Sequence, residues 1–154
     1  MFLAQEAVAE IVLDSLYRGV KLGHYRLGPF AVMPNHVHAL FLPVICPTQF
    51  LKSLKGSTAR EANRILSRTG EPFWQRESYD HWVRSADEWN RIARYIERNP
   101  IKADLVRTIE DYLWSSAHPR FGVHTSVNAA RPSACATSAY NTGACTTDLP
   151  KIPA

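Results

Sequence analysis

AVMPNHVHALFLP, residues 31–43, is two apolar runs joined by Met33-Pro34-Asn35-His36. Pro and Asn at the centre of those four residues suit a tight turn. The flanking runs predict a β-hairpin whose second strand covers about 36–42. Side chains alternate along a strand, so His36 and His38 share one face while Val37, Ala39 and Phe41 share the other. Two imidazoles on one face can bind one metal ion. The spacing alone does not require it: in a chain with six histidines, two fall this close by chance often enough, as surface or hydrogen-bonded core residues.

Working outward, Leu3, Ala7, Val8, Ile11, Val12, Ser15 and Leu16 recur at helical spacing and predict an amphipathic helix over 3–18, closed by Gly19. Beyond the hairpin, Thr48 is a candidate N-cap for a helix reaching about Ser67, with Leu51, Leu54, Thr58, Ala62, Ile65 and Leu66 on one face. Residues 74–84 read as mostly extended, with a strand near 79–84. Ser85-Ala86-Asp87-Glu88 has the form of a capping box and opens a helix through Trp89, Ile92, Ala93 and Ile96, expected to stop at about Asn99 before Pro100. The order helix, strand, strand, helix, strand, helix belongs to an α+β sheet with helices packed on it. Past Ala117 the composition turns to Ser, Thr, Ala, Asn, Gly and Pro. This divides the chain into a folded domain at 1–118 and a tail at 119–154 expected to be disordered.

With 45% hydrophobic and 21% charged residues, 154 residues have the composition of a globular chain with room for one core. No stretch approaches the roughly 18 consecutive apolar residues of a membrane span, so a soluble, cytoplasmic protein is expected. Cys46, Cys135 and Cys145 are odd in number and lack C-x-x-C spacing, which argues against a disulfide framework or a cysteine zinc site. The net charge is +4, and residues 50–102 hold eleven Lys/Arg against seven Asp/Glu. A basic excess of this kind suits a polyanionic partner, although many proteins without one are equally basic.

Tyr95 and Asn99 lie one turn apart along the margin of the last helix's apolar face, flanked by Arg91 and Arg98. A tyrosine there can simply bury its ring and wet its hydroxyl, and an Asn before Pro can simply end a helix.

The segments AVMPNHVHALFLP (31–43), LKGSTAREANRI (54–65), FWQRESYDHWVRSADEWNRIARYIERNPIKADLV (73–106) and WSSA (114–117) strongly resemble the bacterial REP-associated tyrosine transposases and, more distantly, the single-tyrosine HUH transposases of small insertion sequences. The resemblance covers about residues 3–118 and implies a ferredoxin-like antiparallel sheet with helices packed on it. It further implies that His36 and His38 bind a divalent ion, Mg²⁺ or Mn²⁺, and that Tyr95 is the nucleophile. It also implies that Asn99 completes the metal site, standing where the insertion-sequence branch typically has Gln. By ligand preference alone, two imidazoles and an amide also suit Zn²⁺ or Mn²⁺.

The implied activity is cleavage and rejoining of single-stranded hairpin DNA through a 5′-phosphotyrosine link, possible in a homodimer. Rival readings are a DNA-binding remnant that has lost cleavage and a structural zinc domain. Candidate DNA contacts are Lys52, Lys55, Arg60, Arg64 and Arg68 on the second helix, Trp74 and Arg76 beside an unpaired base, and Arg91 and Arg98. Tyr79 is a rival nucleophile, and His81 a structural residue or DNA contact. The family's first strand is expected before the helix at 3–18, where this chain has Met1 almost inside that helix. The central place in the sheet, between 36–42 and 79–84, is therefore expected to stand empty unless another segment fills it.

Overall fold

The turn at 33–36 closes with the Met33 N–H donating to the His36 carbonyl at 2.8 Å, and the strands on either side pair antiparallel as β1 (Tyr25–Val32) and β2 (His36–Pro43), with Ala31 opposite His38. The computed structural model describes residues 1–121 and 134–141, with the backbone alone at 76–79 and 134–141. Two further strands, β3 (Trp74–Val83) and β4 (Ala134–Asn141), complete a four-stranded sheet in the order β1-β2-β4-β3. The strands pair antiparallel throughout, which makes the fold α+β as expected.

The two faces of β2 divide the core. Val37, Ala39 and Phe41 pack with α1 (Glu6–Lys21) and α2 (Pro47–Ile65) through Val8, Val12, Leu16, Phe50 and Leu51. Leu40 packs on the other side with Ala31, Met33, Val83 and the apolar edge of α3 (Ala86–Lys102), formed by Trp89, Ile92 and Ile96. The histidines share the parity of Leu40, so they lie on the α3 side. α3 can approach because Gly28 has no side chain: a Cβ there would stand 2.8 Å from the Trp89 ring and 3.1 Å from the Leu40 Cβ. Gly28→Ala is expected to lower stability by about 1–3 kcal/mol through overpacking, read as an earlier urea midpoint. An unmoved midpoint would mean that Trp89 is not seated on β1.

One end of each helix departs from expectation for a physical reason. α1 continues past Gly19 to Lys21. Gly19 serves there as clearance, since a Cβ would fall 2.3 Å from the hydroxyl of Tyr25, which donates to the Leu16 carbonyl at 2.8 Å. α2 starts two residues earlier than a Thr48 cap would allow, with Cys46 as N-cap and Pro47 at the first helical position. A missing N–H costs nothing at that position. α3 runs through Pro100 to Lys102. Proline's fixed φ is helical, and so near the end it removes only one bond. Pro100 is buried, and Ala103, Asp104 and Leu105 N–H groups close the helix on the Asn99, Ile101 and Pro100 carbonyls.

The largest departure concerns the central place in the sheet. It is filled by β4, from the tail expected to be disordered: Ala139 lies opposite Val37 of β2 and Ser78 of β3, and Ala136 opposite Leu40 and His81. ACATSAYN has few of the large apolar residues by which a buried strand is usually recognised. The outer edge of β1 is also covered. Ser116 N–H donates to the Phe30 carbonyl (3.0 Å), Phe30 N–H to Ser116 Oγ (3.0 Å), Val32 N–H to the Trp114 carbonyl (2.9 Å) and Tyr112 Oη to the Val32 carbonyl (2.8 Å). The W-S-S-A segment is thus a clasp on the hairpin.

Candidate active site

Beginning β2 at His36 sends both histidines to the α3 side, and their Nε2 atoms converge to 2.9 Å. On its other nitrogen, His36 Nδ1 lies 2.7 Å from Oδ1 of Asn35, the residue before it in the turn. One proton arrangement satisfies both contacts: His36 Nδ1–H donates to Asn35, and His36 Nε2 accepts from His38 Nε2–H. Burial pushes the His36 imidazole down to about 4. Burial, and then the neighbouring His36, pushes His38 down to about 3. Both rings are therefore neutral near neutral pH, the form that offers a lone pair to a metal.

The donors fit a divalent ion. With metal–nitrogen bonds of about 2.1 Å, two nitrogens 2.9 Å apart can reach one centre, and the proton they share is what a cation would displace. The Asn35 contact selects the His36 tautomer that leaves Nε2 unprotonated, the usual role of a partner behind a ligating histidine. Among the described residues no three His, Cys, Asp or Glu side chains cluster as metal ligands.

α3 brings Tyr95 to this pair, its ring edge-on to His38 with centroids 5.6 Å apart. Asn99, one turn further, is half-buried, and its side-chain nitrogen is buried without a hydrogen-bond partner. Lys102, two turns beyond Tyr95, lays its ammonium 4.7 Å from the centroid of the Tyr95 ring. Sequence reasoning missed Asn35 and Lys102. Asn35 reads from the sequence as a turn residue, and Lys102 lies beyond the expected end of the helix, although a spacing of seven puts it on Tyr95's face.

The start of α3 is held by Ser85, whose Oγ accepts from Glu88 N–H at 3.1 Å. The Glu88 carboxylate accepts from Arg84 N–H (2.7 Å) and meets His81 Nε2 (2.8 Å). The Arg84 N–H, followed by His81, holds that carboxyl below its usual range. His81 therefore clamps β3 to α3, the structural of its two expected roles.

The candidate DNA contacts on α2 lie away from the histidines, whereas Arg91 and Arg98 share α3 with Tyr95. Lys52, Lys55, Arg60, Arg64 and Arg68 are on α2, across the sheet from the histidines. Lys55 donates to the Gln75 carbonyl at 3.3 Å. Arg68 pairs with Glu71 (Nε to Oε2, 2.7 Å) and covers the Phe2 ring. Arg60 and Arg64 are exposed. Trp74 cannot stack on a base, because it is buried in the core with its Nε1–H donating to Thr58 Oγ1 at 2.7 Å. The side chains of Arg76 and Tyr79 lie outside the described residues. Arg91 is half-buried and 3.7 Å from Glu88, and Arg98 is exposed. No helix among the described residues is long and apolar enough to cross a membrane.

Comparison with known proteins gives a family and a relative. A family model described as IS200-like transposase matches residues 3–99, a span that includes His36, His38, Tyr95 and Asn99. A Haemophilus influenzae protein named as a REP-associated tyrosine transposase is 28% identical over 109 residues, 62% of this chain and 61% of that one. The chain thus spans about 61% of the length of that relative. No solved structure matches.

Proposed function

Because the chain belongs to the IS200-like transposase family, we propose that it nicks and rejoins single-stranded hairpin DNA, with Tyr95 as nucleophile and a divalent ion, Mg²⁺ or Mn²⁺, held by His36, His38 and Asn99. One observation carries the reading: two neutral imidazoles converge Nε2 to Nε2 at 2.9 Å with a tyrosine ring edge-on to one of them. The hairpin substrate is supported by the name of the Haemophilus relative, which is REP-associated.

In the proposed reaction the Tyr95 oxygen attacks the scissile phosphorus as the P–O3′ bond breaks. The phenolic proton leaves, and the departing 3′-oxygen takes up a proton. The phosphate stays on the tyrosine through its 5′ linkage, so one phosphodiester replaces another. A 3′-hydroxyl can later attack that link and rejoin strands without nucleotide hydrolysis. A divalent ion in the site supplies Lewis-acid polarisation of the phosphate and neutralises charge on the leaving oxygen. The protein's share is orientation: Asn35 holds the His36 ring and its tautomer, and Trp89, Ile92 and Ile96 hold α3 on the sheet so that Tyr95 stays against His38.

The test is covalent capture. Labelled hairpin DNA is incubated with the protein and Mg²⁺ or Mn²⁺ and run on a denaturing gel, where a DNA-shifted protein band is expected. Its absence with both metals would refute the reading, as would a band undiminished in chelator. His36→Ala and His38→Ala should each abolish the band while the protein stays folded. In Mn²⁺ titrations followed by calorimetry, Asn35→Ala should weaken binding by roughly tenfold or more, as losing a partner behind a ligating histidine does.

A further inference from the structure

Four cations occupy one side of α3. At 3.6 residues per turn, Arg91, Arg94, Arg98 and Lys102 fall within a quarter of the helix circumference. Tyr95 borders that ridge, and Asn99 lies between Tyr95 and the buried edge of Ile92 and Ile96. Arg94, Arg98 and Lys102 are exposed. Arg98 and Lys102 form no ion pair among the described residues, whereas Arg18, Arg68, Arg91 and Arg120 each meet a glutamate. Lys102 is in the last turn, where the helix dipole favours a cation in any protein. The dipole does not account for the direction of its side chain, which runs back along α3 to lie 4.7 Å from the Tyr95 ring centroid.

We propose that this ridge is the track for the phosphate backbone of the single strand, with Lys102 contacting the phosphates beside Tyr95 and Arg98 the next position along. The inference rests on the nicking reading and adds the path of the substrate to it. From Arg91 to Lys102 the ridge extends about 16 Å at 1.5 Å per residue, long enough for several phosphates. Cations spaced along one helix bind a flexible polyanion without reading its sequence, because each contact releases counterions wherever the strand lies in register. The α2 cations cannot serve this track, being across the sheet from Tyr95.

The test separates binding from chemistry. In a Tyr95→Phe background, the Kd for a fluorescent oligonucleotide carrying a hairpin and a single-stranded flank is measured over a potassium chloride series. Each lost phosphate contact on a single strand lowers the slope of log Kd against log salt by about 0.7. Lys102→Ala and Arg98→Ala should each show that drop, and Lys102→Arg should keep the parental slope. Lys21→Ala, at the end of α1 on the other side of the sheet, should also keep it. Parental slopes in both Lys102→Ala and Arg98→Ala would overturn the track, as would an equal drop in Lys21→Ala or failure of the parent to bind. Wild-type adduct formation is scored in parallel. An adduct with unmoved slopes sinks the track alone, and no adduct with the expected slopes sinks the nicking reading alone.

Discussion

Tyr95→Phe is expected to yield no covalent protein–DNA adduct while binding hairpin DNA with close to wild-type affinity. The substitution removes one oxygen, the atom that would carry the phosphate, and keeps the ring that meets His38 edge-on. Tyr95 is half-buried, and removing one hydroxyl while keeping the ring costs no more than about 1.5 kcal/mol even where that hydroxyl is hydrogen-bonded, which a circular dichroism melt of the variant checks. Loss of the adduct could then not be ascribed to unfolding. The measurement is the denaturing gel beside a binding curve on the same preparation. A surviving adduct would move the nucleophile elsewhere, and Tyr79→Phe is the variant to make next.

The second large effect lies far from the chemistry. Thr137→Pro should unfold much of the sheet, at a cost on the order of 3 kcal/mol or more. Thr137 is opposite Ala39 on one side and Asp80 on the other, so its N–H belongs to a ladder whichever way it points, and proline has none to give. Circular dichroism melts of the two proteins decide the matter. An unchanged melting temperature would mean that the segment 134–141 does not hold the centre of the sheet. Cleavage should fall with stability, because His36 and His38 are on a strand paired along this same segment, opposite Tyr140 and Ser138.

What could be read in advance follows from how local each signal is. The hairpin at 31–43 was legible because its turn, its period of two and its apolar content agree within a few residues. The faces of β2 came with it, and so did the pairing of His36 with His38. Tyr95 and Asn99 were legible as neighbours through helical spacing, but the approach of Tyr95 to His38 depends on contacts such as Gly28 under Trp89, which no local pattern encodes. Pro100 has the sequence mark of a helix terminator but sits in a buried seat inside the helix, and Lys102 lies beyond the stop that a proline signals. β4 was unreadable for a related reason. A central strand normally announces itself by large apolar residues, and ACATSAYN has small and polar ones. Its place is set by the two ladders offered to it, a property of the assembled sheet.

The position of β4 also sets a timetable. β2 is complete at Pro43, and its central partner begins at Ala134, so roughly 90 residues must be synthesised in between. At about 5–20 residues per second on the ribosome that is a wait of roughly 5–20 s. Throughout that interval the histidine strand has β1 on one side and an open edge on the other, and β3, whose strand partner in the sheet is β4, has none once it is made. Strands left in this state are where nascent chains pair with the wrong neighbour, so the yield of native protein should respond to translation speed and to holding chaperones more than its modest size suggests. The same order of events delays completion of the candidate site: the strand bearing both imidazoles becomes an interior strand only once the segment 134–141 has been made.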